Sequence, residues 1–157
     1  MSDKLKPLRI GVGILLLNHE NKVFVGKRID NPKNFWQMPQ GGIDKNENSL
    51  EAAKRELKEE NGIKSIQLIK EIDGWLEYDI PKNLLEKIWK GKYRGQKQKW
   101  YIMKFLGKDD EININTNNPE FLDWKWVDPS VLPDIAVNFK VNLYKKLKKE
   151  LNFLSSN

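Results

Sequence analysis

The sequence has no cysteine and one histidine, His19. The first absence excludes disulfides, thiolate metal sites and cysteine nucleophiles; the second excludes zinc sites built from several imidazoles. Long apolar runs are missing too. The longest, Ile14–Leu17, falls far short of the roughly 20 residues that span a bilayer. No apolar stretch of signal-peptide length stands near the first residues, so a cytoplasmic location is expected. There is no internal repeat, low-complexity tract or linker, and residues 1–157 read as a single domain. Chemistry must therefore rest on carboxylates, amides, hydroxyls, lysine and arginine.

The chain is 39% apolar, enough for a packed core, and carries 28 Lys and Arg against 22 Asp and Glu, a net charge of +6. That excess suits a polyanionic partner: nucleic acid, nucleotide or an anionic surface. The charge is uneven. From Lys82 to Lys104 there are eight basic residues against Glu86 alone, whereas Gly41–Ile63 holds six acidic residues against four basic ones.

Periodicity organises the chain. Ile10–Leu17 and Lys22–Arg28 read as a β-hairpin with His19 in its polar turn, which favours a solvent-exposed histidine over a catalytic one. Asp30–Asn34 is a second turn, leading into Phe35–Gly42. Leu50, Ala53 and Leu57 predict a helix from Asn48 to Asn61, with Asn48 as N-cap and Gly62 as terminator. Strands are predicted at Ile66–Ile72 and Trp75–Ile80 about the turn Asp73-Gly74, then at Trp100–Leu106 and Phe121–Val127. Val137, Val141, Tyr144, Leu147 and Leu151 predict an amphipathic C-terminal helix. Its lysines lie opposite a stripe short enough to be ordinary core, so no membrane role is expected. Several strands about one central helix, with a closing helix, make a mixed or α+β domain.

Glu56, Glu59 and Glu60 stand at i, i+3 and i+4 on one face of the predicted helix, about 100° round from its apolar stripe. Like charges repel, and the last helical turn is the wrong end of the macrodipole for carboxylates, each effect costing up to about 1 kcal/mol. A hard divalent cation would reverse that penalty; a solvated acidic face is the alternative that spacing leaves open.

The wider pattern is more specific. Gly41, Glu47, Arg55-Glu56-Leu57, Glu59-Glu60 and Gly62-Ile63 fill every fixed position of G-x5-E-x7-R-E-U-x-E-E-x-G-U, where U is aliphatic. This resembles the signature of the Nudix hydrolases, which act on nucleoside diphosphates linked to another moiety. The resemblance implies an α/β/α sandwich in which a mixed sheet carries the catalytic helix and a C-terminal helix. It implies that Glu56, Glu59, Glu60 and the Gly41 carbonyl bind a divalent metal, Mg²⁺ or Mn²⁺, as more than one ion. Arg55 would pair with Glu47 to hold the loop on the helix. Water would attack phosphorus with no covalent intermediate.

Further stretches resemble the bacterial RNA pyrophosphohydrolase branch and the related dinucleoside polyphosphate hydrolases: Trp36–Gly42, Trp75–Tyr78, Gly95–Trp100, Asn118–Phe121 and Val137–Lys140. The implied substrate is 5′-triphosphorylated RNA or, alternatively, a dinucleoside polyphosphate; no obligate protein partner is inferred. The resemblance places Glu120 near the metals as ligand or general base, a role it leaves open among Glu56, Glu59 and Glu120. It makes Arg9 and Arg28 phosphate contacts, sets Gln40 and Val137 in the substrate site, and has Phe139 and Lys140 meet a base. If extended, Gly95–Trp100 puts Lys97 and Lys99 on one face, suited to a triphosphate or RNA backbone. A non-catalytic RNA-binding module is the competing reading, and the intact carboxylates argue against it.

Overall fold

The computed structural model describes residues 6–30, 34–85 and 87–155. Residues 1–5, Asn31–Lys33 of the expected second turn and Glu86 of the basic segment lie outside the described residues. Among the described residues seven strands form one mixed sheet: β1 (Leu8–Leu17), β2 (Val23–Arg28), β3 (Gln40–Gly42), β4 (Ile66–Glu71), β5 (Leu76–Asp79), β6 (Gly95–Phe105) and β7 (Phe121–Val127). The order is β4-β6-β1-β2-β7, with β3 on β1 and β5 on β6. β1 and β6 run parallel from Leu8↔Gly95 to Leu17↔Lys104. β4 and β5 do not pair with each other; both lie antiparallel along β6, at Ile66–Glu71 and Leu76–Asp79 respectively.

The helices are α1 (Ser49–Asn61), α2 (Leu132–Ile135) and α3 (Val141–Lys149). Asn48 caps α1 by accepting the Glu51 amide at 2.8 Å, and Gly62 ends it in the left-handed region at φ 69°. The expected C-terminal helix is shorter than its apolar spacing implied. Asn138–Lys140 is a 3₁₀ turn, and α3 begins only at Val141.

The sheet is covered on both faces, which explains why β1 reads as an almost unbroken apolar run rather than an alternating one. Leu15, Leu17, Trp100 and Ile102 face Leu143, Tyr144 and Leu147 of α3. Val12, Ile14, Leu16, Tyr101 and Met103 face Ala52, Ala53 and Leu57 of α1. The period of two thus deals successive residues of one strand into two separate cores. His19 is exposed beside Asn18, whose side chain accepts the Glu20 and Lys22 amides in the β1–β2 turn. Among the described residues no helix is long and apolar enough to cross a membrane.

Candidate active site

The edge of β1 is shared: β3 pairs with Gly11–Gly13, while β2 meets β1 at Leu17↔Val23. The segment entering β3 is fixed from three sides. Gly26 and Gln37 exchange backbone hydrogen bonds at 2.8 and 2.9 Å, Ile14 donates to the Pro39 carbonyl at 2.9 Å, and Met38 donates to the Tyr144 hydroxyl at 2.7 Å. The segment between β2 and α1 is therefore tied to both β1 and α3. Beside it opens a cleft of about 860 Å³.

One end of the cleft is acidic, with Glu56 and Glu60 from α1, Glu120 from the approach to β7, and Gly41. Burial and the charges of Glu120, Glu56 and Glu59 push the Glu60 carboxyl up to about 7. Burial also raises Glu56, against the pull of Arg55. Glu60 Oε2 is buried without a hydrogen-bond partner. A Cβ on Gly41 would lie 2.1 Å from the Glu56 carboxyl carbon, so glycine here makes room for the carboxylate itself. Buried, mutually repelling oxygens with an orphaned lone pair fit a divalent cation, which would offset both penalties.

Arg55 organises this end. Its Nε and Nη2 donate to both Glu47 oxygens at 2.8 and 3.0 Å, Nη2 to the Gly42 carbonyl at 2.9 Å, and Nη1 to Glu56 at 2.9 Å. The Glu47 hydrogen bond is the largest cause of a raised Arg55 pKa. Arg55 also donates to Glu59 at 3.2 Å, and Glu59 is exposed and outside the cleft lining. Among the described residues no three acidic or histidine side chains are gathered as a metal-binding group. The spacing puts Glu59 on the shared helical face, and its carboxylate shares Arg55 Nη1 with that of Glu56, but it stays exposed and outside the cleft lining.

The remainder of the cleft is cationic and aromatic. Arg9, Arg28, Gln40, Val137, Phe139 and Lys140 line it together, six of the expected contact residues in one place. Arg28 is held bidentately by Asp30, both contacts at 2.7 Å, which is the main cause of its raised pKa. Lys140 is buried, and its ammonium donates to the amide oxygens of Gln37 at 3.2 Å and Gln40 at 3.3 Å. Burial, then Arg28, lowers Lys140 to about 7. Phe139 stacks on Tyr78 with centroids 5.9 Å apart.

Lys97 and Lys99 are not brought to the cleft. They do share a face, but alternation along β6 gives them the side of Tyr101 and Met103, towards α1. Lys97 lies over the Trp75 ring, and Lys99 donates to the Gly74 carbonyl at 3.0 Å. The intervening Gln96 and Gln98 point the other way and are buried. Gln96 lines the cleft, donating to the Tyr78 hydroxyl at 2.6 Å and accepting from Arg9 at 3.2 Å. Gln98 donates to Gln40 at 3.3 Å. Tyr78, Gln96 and Gln37 are among the cleft residues that sequence reasoning passed over, with Asp30, Leu84, Ile88 and Trp89. The alternation was visible; what it lacked was a reference for which phase faces inward.

A family model described as NUDIX domain matches residues 7–147. The RNA pyrophosphohydrolase of Pelagibacter ubique (strain HTCC1062) is 62% identical over 145 residues, covering 92% of each chain. That of Orientia tsutsugamushi (strain Boryong) is 46% identical over 157 residues, covering 97% of this chain and 98% of its own. Among solved structures, the E. coli dihydroneopterin triphosphate pyrophosphohydrolase superposes with a TM-score of 0.72 at 20% identity, over 92% of this chain and 99% of that one. At that identity the superposition speaks for the fold alone.

Proposed function

This chain belongs to the Nudix family of hydrolases, and from that membership we propose that it is an RNA 5′-pyrophosphohydrolase, one Nudix domain over residues 1–157. The reaction would convert a 5′-triphosphate to a 5′-monophosphate, with water adding to phosphorus and pyrophosphate leaving. The observation that carries the reading is a single cleft with carboxylates from α1 and Glu120 on one part of its wall, and Arg9, Lys140 and an Asp30-paired Arg28 beside aromatic rings on the rest. A polyphosphate with an attached nucleotide matches that sequence of surfaces. The names of the relatives at 62% and 46% identity support the same substrate.

Nudix hydrolases use divalent metal ions. Here the Gly41 carbonyl, Glu56, Glu59, Glu60 and Glu120 would hold Mg²⁺ or Mn²⁺, as more than one ion, Glu59 by leaving Arg55. When bound, the ions supply charge neutralisation at the phosphate oxygens and acidify water. The protein's own groups do the rest. Arg55, fixed by Glu47, aims the helix carboxylates at the loop bearing Gly41. One of Glu56, Glu59 and Glu120 takes the proton of the attacking water. Arg9 and Arg28 hold phosphate oxygens, Arg28 with Asp30 setting its fork. Lys140, steadied by Gln37 and Gln40, and Phe139, backed by Tyr78, receive a base by hydrogen bonding and stacking.

The test is release of pyrophosphate from 5′-triphosphorylated RNA with and without Mg²⁺, alongside hydrolysis of diadenosine tetraphosphate. Metal-dependent release, with the higher kcat/KM on RNA and a loss of at least about tenfold in Glu59→Gln, is expected. A higher kcat/KM on the dinucleotide would move the assignment to that substrate. RNA binding indifferent to Mg²⁺ and to the 5′ triphosphate, with no turnover, would leave only a binding module.

A further inference from the structure

One wall of the cleft belongs to neither the acidic end nor the Phe139 side. It is built from the segment after β5, where Leu84, Ile88 and Trp89 line the cleft together with Lys87. None of these three apolar side chains is fully buried. The backbone there is unusual: Trp89, Lys90 and Gly91 follow one another in the left-handed region at φ 51°, 55° and 74°. Glycine adopts it freely, but a bulky aromatic does so only where its surroundings hold it, and such residues gather at ligand clamps. Trp89 is held by Arg9, whose guanidinium sits 5.3 Å from its ring centre, and by the Tyr93 ring, which lies perpendicular to it with centroids 5.8 Å apart. Backbone bonds from Gly91 to the Ile88 carbonyl and from Lys92 to the Trp89 carbonyl, both 3.1 Å, close the turn.

Arg9 is the second half of the observation. Its guanidinium donates to Gln96 at 3.2 Å, and no carboxylate among the described residues pairs with it. Gly42 leaves it space, since a Cβ there would stand 2.5 Å from Arg9 Nη2. A cation without a carboxylate partner among the described residues, lying over an indole, with both on the cleft wall, offers a π surface beside a phosphate-attracting charge. The structure assigns to Trp89 the role of a stacking platform for a nucleobase of the RNA, on the wall formed by Leu84 and Ile88 and distinct from the Phe139–Tyr78 stack. Charge complementarity selects this occupant: Arg9, Arg28 and Lys87 on the same cleft favour a base attached to phosphate over a neutral apolar group. The assignment rests on the RNA reading above.

The experiment is equilibrium binding, by fluorescence anisotropy in EDTA, of a 3′-labelled 5′-triphosphorylated tetranucleotide and of two versions abasic at the first or second nucleotide. Trp89→Leu keeps apolar bulk against Ile88 and Leu84 but removes the π face; Trp89→Phe restores one. Binding of the intact RNA should weaken about tenfold in Trp89→Leu and stay within about threefold in Trp89→Phe. On one of the two abasic RNAs the Leu penalty should shrink to within about threefold. A Leu variant that binds intact RNA as wild type does overturns the assignment, as does an equal penalty on both abasic RNAs, which would reduce Trp89 to a prop for Arg9. Wild type that binds RNA but releases no pyrophosphate refutes the proposed activity while leaving this platform standing, whereas no binding at all refutes both.

Discussion

Lys140→Met is the perturbation whose consequences the structure fixes most tightly. Lys140 is 5% exposed, and its ammonium meets two amide oxygens and the face of Tyr78 but, among the described residues, no carboxylate. Burial and Arg28 lower its pKa to about 7, against an opposing pull from Glu120 and Asp30. The unfolded chain keeps this proton up to the ordinary lysine value of about 10.5, so between about 7 and 10.5 the unfolded state binds more protons and stability rises with pH. At 1.36 kcal/mol per unit, the full displacement of about 3.5 units is worth roughly 5 kcal/mol, most of it still present at pH 7 and about 2 kcal/mol remaining at pH 9. Methionine carries no such cost, though it leaves the Gln37 and Gln40 oxygens short of a donor, which takes back about 1–3 kcal/mol at every pH. The difference between pH values is free of that correction. In EDTA, the stability of wild type minus that of Lys140→Met should rise by about 2 kcal/mol from pH 7 to pH 9, or about 4–8 °C in relative Tm for a chain of this size. Urea or thermal unfolding of both proteins at matched pH measures it. Parallel pH profiles would refute the buried-ammonium argument, whatever the offset between them.

Two further predictions concern the acidic end. Gly41→Ala puts a methyl within 2.1 Å of the Glu56 carboxyl carbon and must displace that side chain, so kcat/KM on triphosphorylated RNA should fall by about 100-fold or more while far-UV circular dichroism holds; near-wild-type turnover would show that Glu56 can be moved without harm. Arg55→Lys keeps the charge but loses the fork that joins Glu47, the Gly42 carbonyl and Glu56, and a loss of about 10–100-fold in activity is expected, measured with a metal titration in which the midpoint moves to higher concentration.

Much of the fold was legible because each element carried a local mechanism. Asn48 and Gly62 bracket α1 by capping chemistry, and both ends fall where those residues predict. β2 and β7 begin and end within a residue of their expected bounds, because edge and hairpin strands are marked by flanking turn residues. What failed depended on partners far along the chain. β3 is three residues long and exists because β1 offers Gly11–Gly13 to pair with, a contact no local pattern announces. β6 starts five residues earlier than its apolar run because β1 pairs with it in parallel from Leu8 onward, drawing the polar stretch Gly95–Lys99 into the sheet. The C-terminal apolar spacing continued through Asn138–Lys140, but spacing does not separate a 3₁₀ turn from the first turn of an α-helix.

The site divides along the same line. Gly41, Glu47, Arg55, Glu56 and Glu60 could be read because they sit on one helix and the loop that Arg55 ties to it, so their relative placement is fixed by local geometry. Lys97 and Lys99 show where that ends. Alternation settles that they share a face and that Gln96 and Gln98 share the other; it does not settle which face is the cleft. The phase is set by Trp100, whose bulk belongs with Leu15 and Leu17 against α3 and whose indole N–H donates to Gln98 at 3.1 Å, which drags the glutamines into the interior. Gln98 then reaches Gln40, Gln40 takes Lys140, and Gln96 meets Tyr78 and Arg9, so a core tryptophan decides which groups face the cleft. Among the described residues, Lys87 alone of the eight basic ones from Lys82 to Lys104 lines the cleft, so the basic count of the segment spoke for an anionic ligand mostly through residues that lie outside it. Within the cleft itself, buried amides fix Lys140 and Arg9 in place without neutralising them, whereas Arg28 is fixed by the carboxylate of Asp30 and keeps less of its charge for an anionic ligand.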